Sequence, residues 1–396
     1  MKQLCLYFQV HQPYRLKKYR FFNIGKDHFY FDEFLNRTII DRIATKCYQP
    51  MNDLLLKMIA QHGQGVKVSF SISGPAIEQL QAYAPQVIYQ FQKLAATGSV
   101  EFLVETYSHS LAALKNPEEF KAQVEQSAAK IEELFGQKPK VFRNTELIYS
   151  DKIGELVNNL GYETILTEGT KHILGWKSPN FVYSNPIRQN VKLLLRNFKL
   201  SDDIAFRFSD QGWSEYPLTA DKYLSWLENT EDGGDLVNLF MDYETFGEHV
   251  KKETGVFGFM EDLLTKVAQS DQLKMSTPSE IAASCQSVSL LHVPHPISWA
   301  DEERDLTAWL GNDLQDEAIS KLYDLKPMVD QLGDVNLHHV WLALQASDHF
   351  YYMCTKWFAD GDVRQYFNPY DSPYEAFMNY MNVLSDFARE LKLRCK

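Results

Sequence analysis

Residues 235–249 read DLVNLFMDYETFGEH. The first half is a strand-like apolar run, and the second sets Asp242, Glu244, Glu248 and His249 close together. An apolar strand that ends in ionisable side chains fits a parallel α/β sheet buried on both faces, whose strand ends converge on one functional face. Three chemistries suit the cluster itself: a metal site, a catalytic carboxylate pair, or a solvated turn.

Six further runs of the same kind precede it, at 4–10 (LCLYFQV), 66–72 (VKVSFSI), 100–105 (VEFLVE), 140–144 (KVFRN), 163–167 (ETILT) and 191–197 (VKLLLRN). Amphipathic helical segments separate several of them. NPEEFKAQVEQSAAKIEELFG opens with Asn116 as cap, Pro117 at the first position and Glu119 in capping-box register, and Thr277-Pro278-Ser279-Glu280 repeats the device. Strand alternating with helix predicts a parallel sheet covered by helices. Seven strands suit an irregular, closed or nearly closed (β/α)7 barrel, and no glycine-rich phosphate loop follows the first strand to favour a dinucleotide fold. The expected organisation is a barrel over 1–298 and a helical region over 299–396, with helices at 303–332, 335–359 and 372–393.

At 396 residues the chain exceeds what one core usually holds, which agrees with a large domain plus an appendage. A net charge of -12 argues against nucleic acid or a polyanionic substrate. No apolar run is long enough to span a bilayer, and MKQLCLYFQVHQP reads as a first strand, not a signal peptide. Five scattered cysteines without CxxC spacing suggest free thiols in a reducing, cytoplasmic setting. Aromatic residues make up 13% of the chain; most serve as core, but flat rings also suit sugar faces.

The strand ends carry a consistent set of polar groups: His11-Gln12-Pro13, Ser73-Gly74-Pro75, Glu105 with Tyr107, Ser108 and His109, then Glu146, Glu168, and Asp242 with Glu244. Two carboxylates facing each other across a pocket suit glycoside hydrolysis. The residues alone leave open which two of Glu105, Glu146, Glu168, Asp242 and Glu244 form the pair.

HQP after the first strand, YSHS after the third, FRNTELIYS after the fourth, MDYETFGEH after the seventh and ISWADEERDLTAWLGNDLQ downstream resemble family 57 of the glycoside hydrolases, in its α-amylase-like members. The resemblance implies a seven-stranded barrel with a helical C-terminal region, acting on α-glucans or maltooligosaccharides by retention. It assigns Glu146 as nucleophile and Asp242 as general acid/base. A 4-α-glucanotransferase or branching activity would use the same pair. Many relatives carry an aromatic residue three places before each catalytic carboxylate, where this chain has Arg143 and Leu239.

Around that pair, His11, Gln12, Glu105, His109 and Glu244 are candidate substrate contacts, with Glu244 also a candidate to stay ionised and keep Asp242 protonated. Trp299 and Asp301 are candidates for a rim, Trp309 for rim or core, and Trp176 and Trp213 for sugar platforms in long loops. Glu248 and His249 read as loop residues, and Asp348 and His349 as helix-to-barrel packing, with a reach into the pocket the alternative for His349. The rival is a metal-dependent polysaccharide deacetylase, whose H-S-x-x-H signature stops short here at His109-Ser110-Leu111-Ala112-Ala113. No metal or cofactor is expected.

Overall fold

The computed structural model describes residues 1–230, 233–356 and 368–395. Among these residues ten strands form two five-stranded sheets. They are β1 (Lys2–Val10), β2 (Val68–Ile72), β3 (Val100–Phe102), β4 (Phe142–Arg143), β5 (Thr164–Glu168), β6 (Tyr183–Ser184), β7 (Lys192–Arg196), β8 (Leu236–Asp242), β9 (Leu273–Met275) and β10 (Ser289–Leu290). All seven anticipated runs contain a strand, but those at 100–105 and 140–144 shrink to three and two residues. β6, β9 and β10 are additions too short to show a period of two.

The first sheet runs β3-β2-β1-β8, with β9 beside the start of β1, and is parallel throughout. The second runs β10-β6-β7-β5-β4, with β6 and β7 antiparallel. The sheets meet at two seams. Val104 bridges Phe142 in parallel fashion on one side. On the other, the Asn197 N–H donates to the Asn238 carbonyl at 2.9 Å, and the Asn238 amide donates to the Leu195 carbonyl at 2.8 Å.

Three apolar clusters explain this arrangement. One packs the first sheet against the helices at Glu33–Ile43, Gln49–His62, Pro85–Ala96 and Val256–Gln269. A second packs the other sheet against the helices from 307 onward. The third contains Cys5, Tyr7, Leu236 and Phe240 from the first sheet with Leu166 and Leu194 from the second, so it lies between them. Strands buried on both faces account for the near-continuous apolar runs in the sequence.

From residue 307 the regular elements among the described residues are helical: Thr307–Leu310, Asp313–Tyr323, Lys326–Leu332, Val335–Leu344, Ser347–Tyr351 and Pro373–Arg394. The single predicted helix at 303–332 breaks into three. Asn312 caps one break by accepting from the Gln315 N–H, and Pro327 opens the next helix. The predicted 335–359 helix ends at Leu344, because Ala346 turns extended and bridges Ser110; its positions 357–359 lie outside the described residues. Thr277 and Glu280 form the expected capping box. Asn116 caps its helix, but Glu119 turns away to accept from Gln123 and Gln345.

Candidate active site

A cavity of about 210 Å³ opens where β1, β4, β7 and β8 end. Register alone brings the first pair of residues there, since Gln9 on β1 lies opposite Asp242 on β8. Glu146 arrives differently. It follows β4 in a tight turn where Glu146 and Leu147 both take left-handed backbone angles, φ 56° and 52°. Among the described residues five non-glycines have positive φ, and four of them (His109, Glu146, Asp301 and Arg304) line this cavity. Such backbone costs on the order of 1 kcal/mol or more per residue, so its concentration here marks a site held in place by its surroundings.

The Glu146 carboxylate is held by three donors. The Trp299 indole N–H gives to Oε2 at 2.6 Å, while His109 Nε2 and Ser347 Oγ reach Oε1 at 3.2 and 3.3 Å. Burial alone would push this carboxyl up. The hydrogen bond and charge of His109, the Arg143 charge and the indole together hold it below its ordinary value. His109 is itself fixed by Glu105, whose Oε2 meets Nδ1 at 2.6 Å, and Glu105 accepts from the Gln9 amide at 2.7 Å. Burial opposes the charge on His109, but Glu105 and Glu146 prevail and push its pKa up to about 9. His109 is therefore an imidazolium donating from both nitrogens.

Asp242 sits in the opposite condition. Burial, then the negative charge of Glu146, push it up to about 6. Two carboxyls thus share one cavity, one ionised and the other protonated up to mildly acidic pH, which is the division of labour that acid/base chemistry requires.

Glu244 also lines the cavity, although β8 ends at Asp242 and Tyr243–Thr245 form a 3₁₀ turn. Its Oε1 accepts from the Tyr48 hydroxyl and, at 3.1 Å, from the Gln12 amide. Burial, then Asp242, push it up to about 8. This corrects the idea that Glu244 stays ionised to tune Asp242: Glu146 is the ionised neighbour, and Glu244 presents a neutral carboxyl at neutral pH.

His11 lines the cavity, stacked on His109 with ring centroids 3.9 Å apart. Ser73 Oγ lies 2.6 Å from Nδ1, and Asp348 Oδ2 lies 2.8 Å from Nε2. Burial and the His109 cation hold His11 below its usual value, so a neutral ring donates from Nε2 to Asp348 and accepts from Ser73. Gln12, Trp299 and Asp301 also line the cavity, and Asp301 pairs with Lys356 at 2.9 Å. Glu105 has no exposure and stands behind His109.

Trp176 and Trp213 do not come to the site. Trp176 is 93% exposed and absent from the cavity wall, and Trp213 packs edge-on to Trp226 beside the first cluster. Glu168 is held away by Arg196, which donates to it at 3.1 Å and to Asp202 at 2.5 Å. Glu248 pairs with Arg42 at 2.8 Å, as a loop residue should, whereas His249 lines the cavity against expectation.

Sequence reasoning missed Arg196, Asp202, Ser347 and the role of Asp348. Arg196 is the last residue of β7, within the run VKLLLRN, so its strand-end position was a usable signal. Ser347 and Asp348 had none, because a kink at Ala346 alone turns them to the site.

A family model for glycosyl hydrolase family 57 matches residues 5–294. The chain belongs to that family. A Methanocaldococcus jannaschii protein named "Putative alpha-amylase" is 42% identical over 97% of this chain and 84% of its own length. The fold is also similar to solved structures, a family 57 branching enzyme among them. A branching enzyme from Thermococcus kodakaraensis, solved in complex with glucose, gives a TM-score of 0.68 at 15% identity, over 92% of this chain and 87% of its own. The α-amylase AmyC from Thermotoga maritima gives 0.62 at 14%, over 99% and 96%. For the 4-α-glucanotransferase from Thermococcus litoralis the values are 0.63 and 15%, over 88% of this chain but only 56% of the transferase. At these identities the likeness is one of fold. Within the family 57 fold, His109 of the shortened deacetylase-like motif is bonded to Glu105 and Glu146.

Proposed function

We propose that this family 57 protein is a retaining, α-amylase-like enzyme cleaving α-1,4 bonds in α-glucans, with Glu146 as nucleophile and Asp242 as general acid/base. The observation that carries the reading is the split protonation of the two carboxyls in one cavity, Glu146 held ionised and Asp242 raised to about 6. The Glu146 carboxylate attacks the anomeric carbon while Asp242 gives its proton to the leaving oxygen. The glycosyl–enzyme ester then yields to water, from which Asp242 takes a proton back. The α-glucan substrate is suggested by the amylase name of the M. jannaschii relative and by the sequence motifs.

The two sheets, with the shared cluster between them, support reading the fold as one irregular seven-stranded barrel of β1, β2, β3, β4, β5, β7 and β8. In this reading residues 1–298 form the barrel and 299–396 pack on it as a helical part of the same catalytic unit. In the same reading Gln12 and the neutral Glu244 carboxyl meet sugar hydroxyls, His11, with both ring nitrogens engaged by Ser73 and Asp348, offers substrate only its ring, and Glu105 and His109 act on Glu146 instead.

A fluorinated glycosyl donor that accumulates the intermediate tests the assignment. Mass spectrometry of the digest is expected to place the label on Glu146, and Glu146→Gln to remove it; labelling elsewhere overturns the nucleophile. Chromatography of products from maltooligosaccharides of several lengths separates hydrolysis from transfer, since only transfer yields chains longer than the substrate.

A further inference from the structure

Arg143, three places before Glu146, occupies an unusual place. Its side chain has no exposure, yet none of its three guanidinium nitrogens has a hydrogen-bond partner among the described residues. Its charge is met at longer range, by the Glu105 carboxylate 3.9 Å away. The guanidinium carbon lies 4.8 Å from the centre of the Trp299 ring and 6.0 Å from that of Tyr7. Arg196 approaches the same indole at 5.8 Å. A guanidinium is a weakly hydrated plane that stacks on aromatic rings, so an indole contacted by two of them is restrained in position. The Trp299 N–H is what holds Glu146 Oε2.

We propose that Arg143 is a positioning residue of this reaction: packed against Trp299 and facing Glu105, it fixes the indole on Glu146 and supplies the cation shared by the carboxylates around the cavity. The proposal rests on the reading of Glu146 as nucleophile and Asp242 as acid. The titratable and charged groups around Arg143 are Tyr7 on β1, Glu105 and His109 after β3, Glu146 after β4, Arg196 on β7 and Asp242 on β8. Its charge reaches Glu105, Glu146 and Asp242, in each case favouring the ionised form.

This gives a signature that a merely structural residue lacks. Activity needs Glu146 ionised and Asp242 protonated, so the two carboxyls set the acid and basic limbs of kcat/KM. Neutralising Arg143 raises both pKa values, and the whole bell moves to higher pH. The test uses the full chain with Arg143→Met and Arg143→Lys, an activated maltooligosaccharide, and melting curves to confirm folding. For Arg143→Met both limbs are expected to rise by about half a pH unit or more, with a loss of about tenfold or more at the optimum. Arg143→Lys keeps the charge and loses the plane, so its limbs stay near wild type while the rate falls. Unmoved limbs in a folded Arg143→Met overturn the proposal, whatever the rate. If Arg143→Met does not fold, Arg143→Gln replaces it under the same criteria. Failure of both neutral variants to fold beside a fully active Arg143→Lys would assign the residue to stability alone. Glycosyl trapping on wild type separates the two readings: a label away from Glu146 defeats the nucleophile, whereas a label on Glu146 with unmoved limbs defeats only Arg143.

Discussion

At the scale of single residues, the chemistry depends on keeping one proton on the correct carboxyl. With Asp242 as the proposed acid, its rise to about 6 puts the basic limb there, and kcat/KM is expected to fall above roughly pH 6. Asp242→Asn should abolish that limb and reduce turnover by about 10²-fold or more, with azide restoring turnover through a glycosyl azide product. A pH–rate profile that keeps its basic limb in this variant would remove Asp242 from the role. Glu244 makes a different prediction. An unfolded glutamate ionises near 4.5, whereas the folded one holds its proton to about 8. Between those values the unfolded state releases a proton that the folded state keeps, so stability falls as pH rises through that window. Glu244→Gln should therefore raise the melting temperature at pH 9 and leave it nearly unchanged at pH 4. Denaturation curves at the two pH values check this; equal shifts at both would mean that the proton is not involved. That Asp242 and Glu146 meet at one cavity was legible from their strand-end positions, whereas choosing them as the pair took the motif resemblance. Their protonation was not legible, because it depends on His109 and Trp299, which approach from two other segments, and on the buried charge of Arg143.

At the scale of elements, the loop after β8 shows how backbone geometry serves the site. Gly247 has φ +106°, and a Cβ there would overlap the Lys46 carbonyl oxygen. Its own N–H donates to the Val250 carbonyl at 2.9 Å, and the His249 N–H donates to the Glu244 carbonyl at 3.0 Å. The glycine thus closes a turn that keeps Glu244 and His249 at the cavity. Gly247→Ala should cost about 2 kcal/mol or more and lower kcat/KM as well, since the turn has to move off Lys46. Chemical denaturation together with kinetics checks it, and a wild-type melt with wild-type activity would show that the turn is tolerant. Strands were the most legible elements, because parallel strands buried on both faces are written as unbroken apolar runs. Helix boundaries were less so. The break at 345–346 comes from a tertiary bridge between Ala346 and Ser110, and no local propensity announces it. The exposed Trp176 looked like a platform for the same reason: the sequence shows a loop tryptophan, but not which way the loop faces.

At the scale of the whole molecule, the helices after residue 307 complete the site as well as covering the second sheet. Ser347 and Asp348 reach Glu146 and His11, and the Ser347 N–H donates to the His109 carbonyl at 3.0 Å. The same region shares a core with the second sheet: Trp309, Trp341, Phe350 and Phe387 lie in one cluster with Phe142, Ile165 and Leu193. Each fully buried aromatic or leucine contributes about 1.5–3 kcal/mol, so removing this face would forfeit more than the net stability of an ordinary domain. A chain ending at 298 is expected to lack a cooperative melt and to show no activity. Loss of activity in that fragment could come from unfolding alone, so the decisive variant is Ser347→Ala in the full chain. It removes one weak donor to Glu146 and leaves the core intact. Its melt should stay within about 1 kcal/mol of wild type, while kcat falls severalfold as Glu146 loses a restraint. A fragment of residues 1–298 that folds and retains the full rate would refute this account, and the helical region would then be a cover and not part of the catalytic unit.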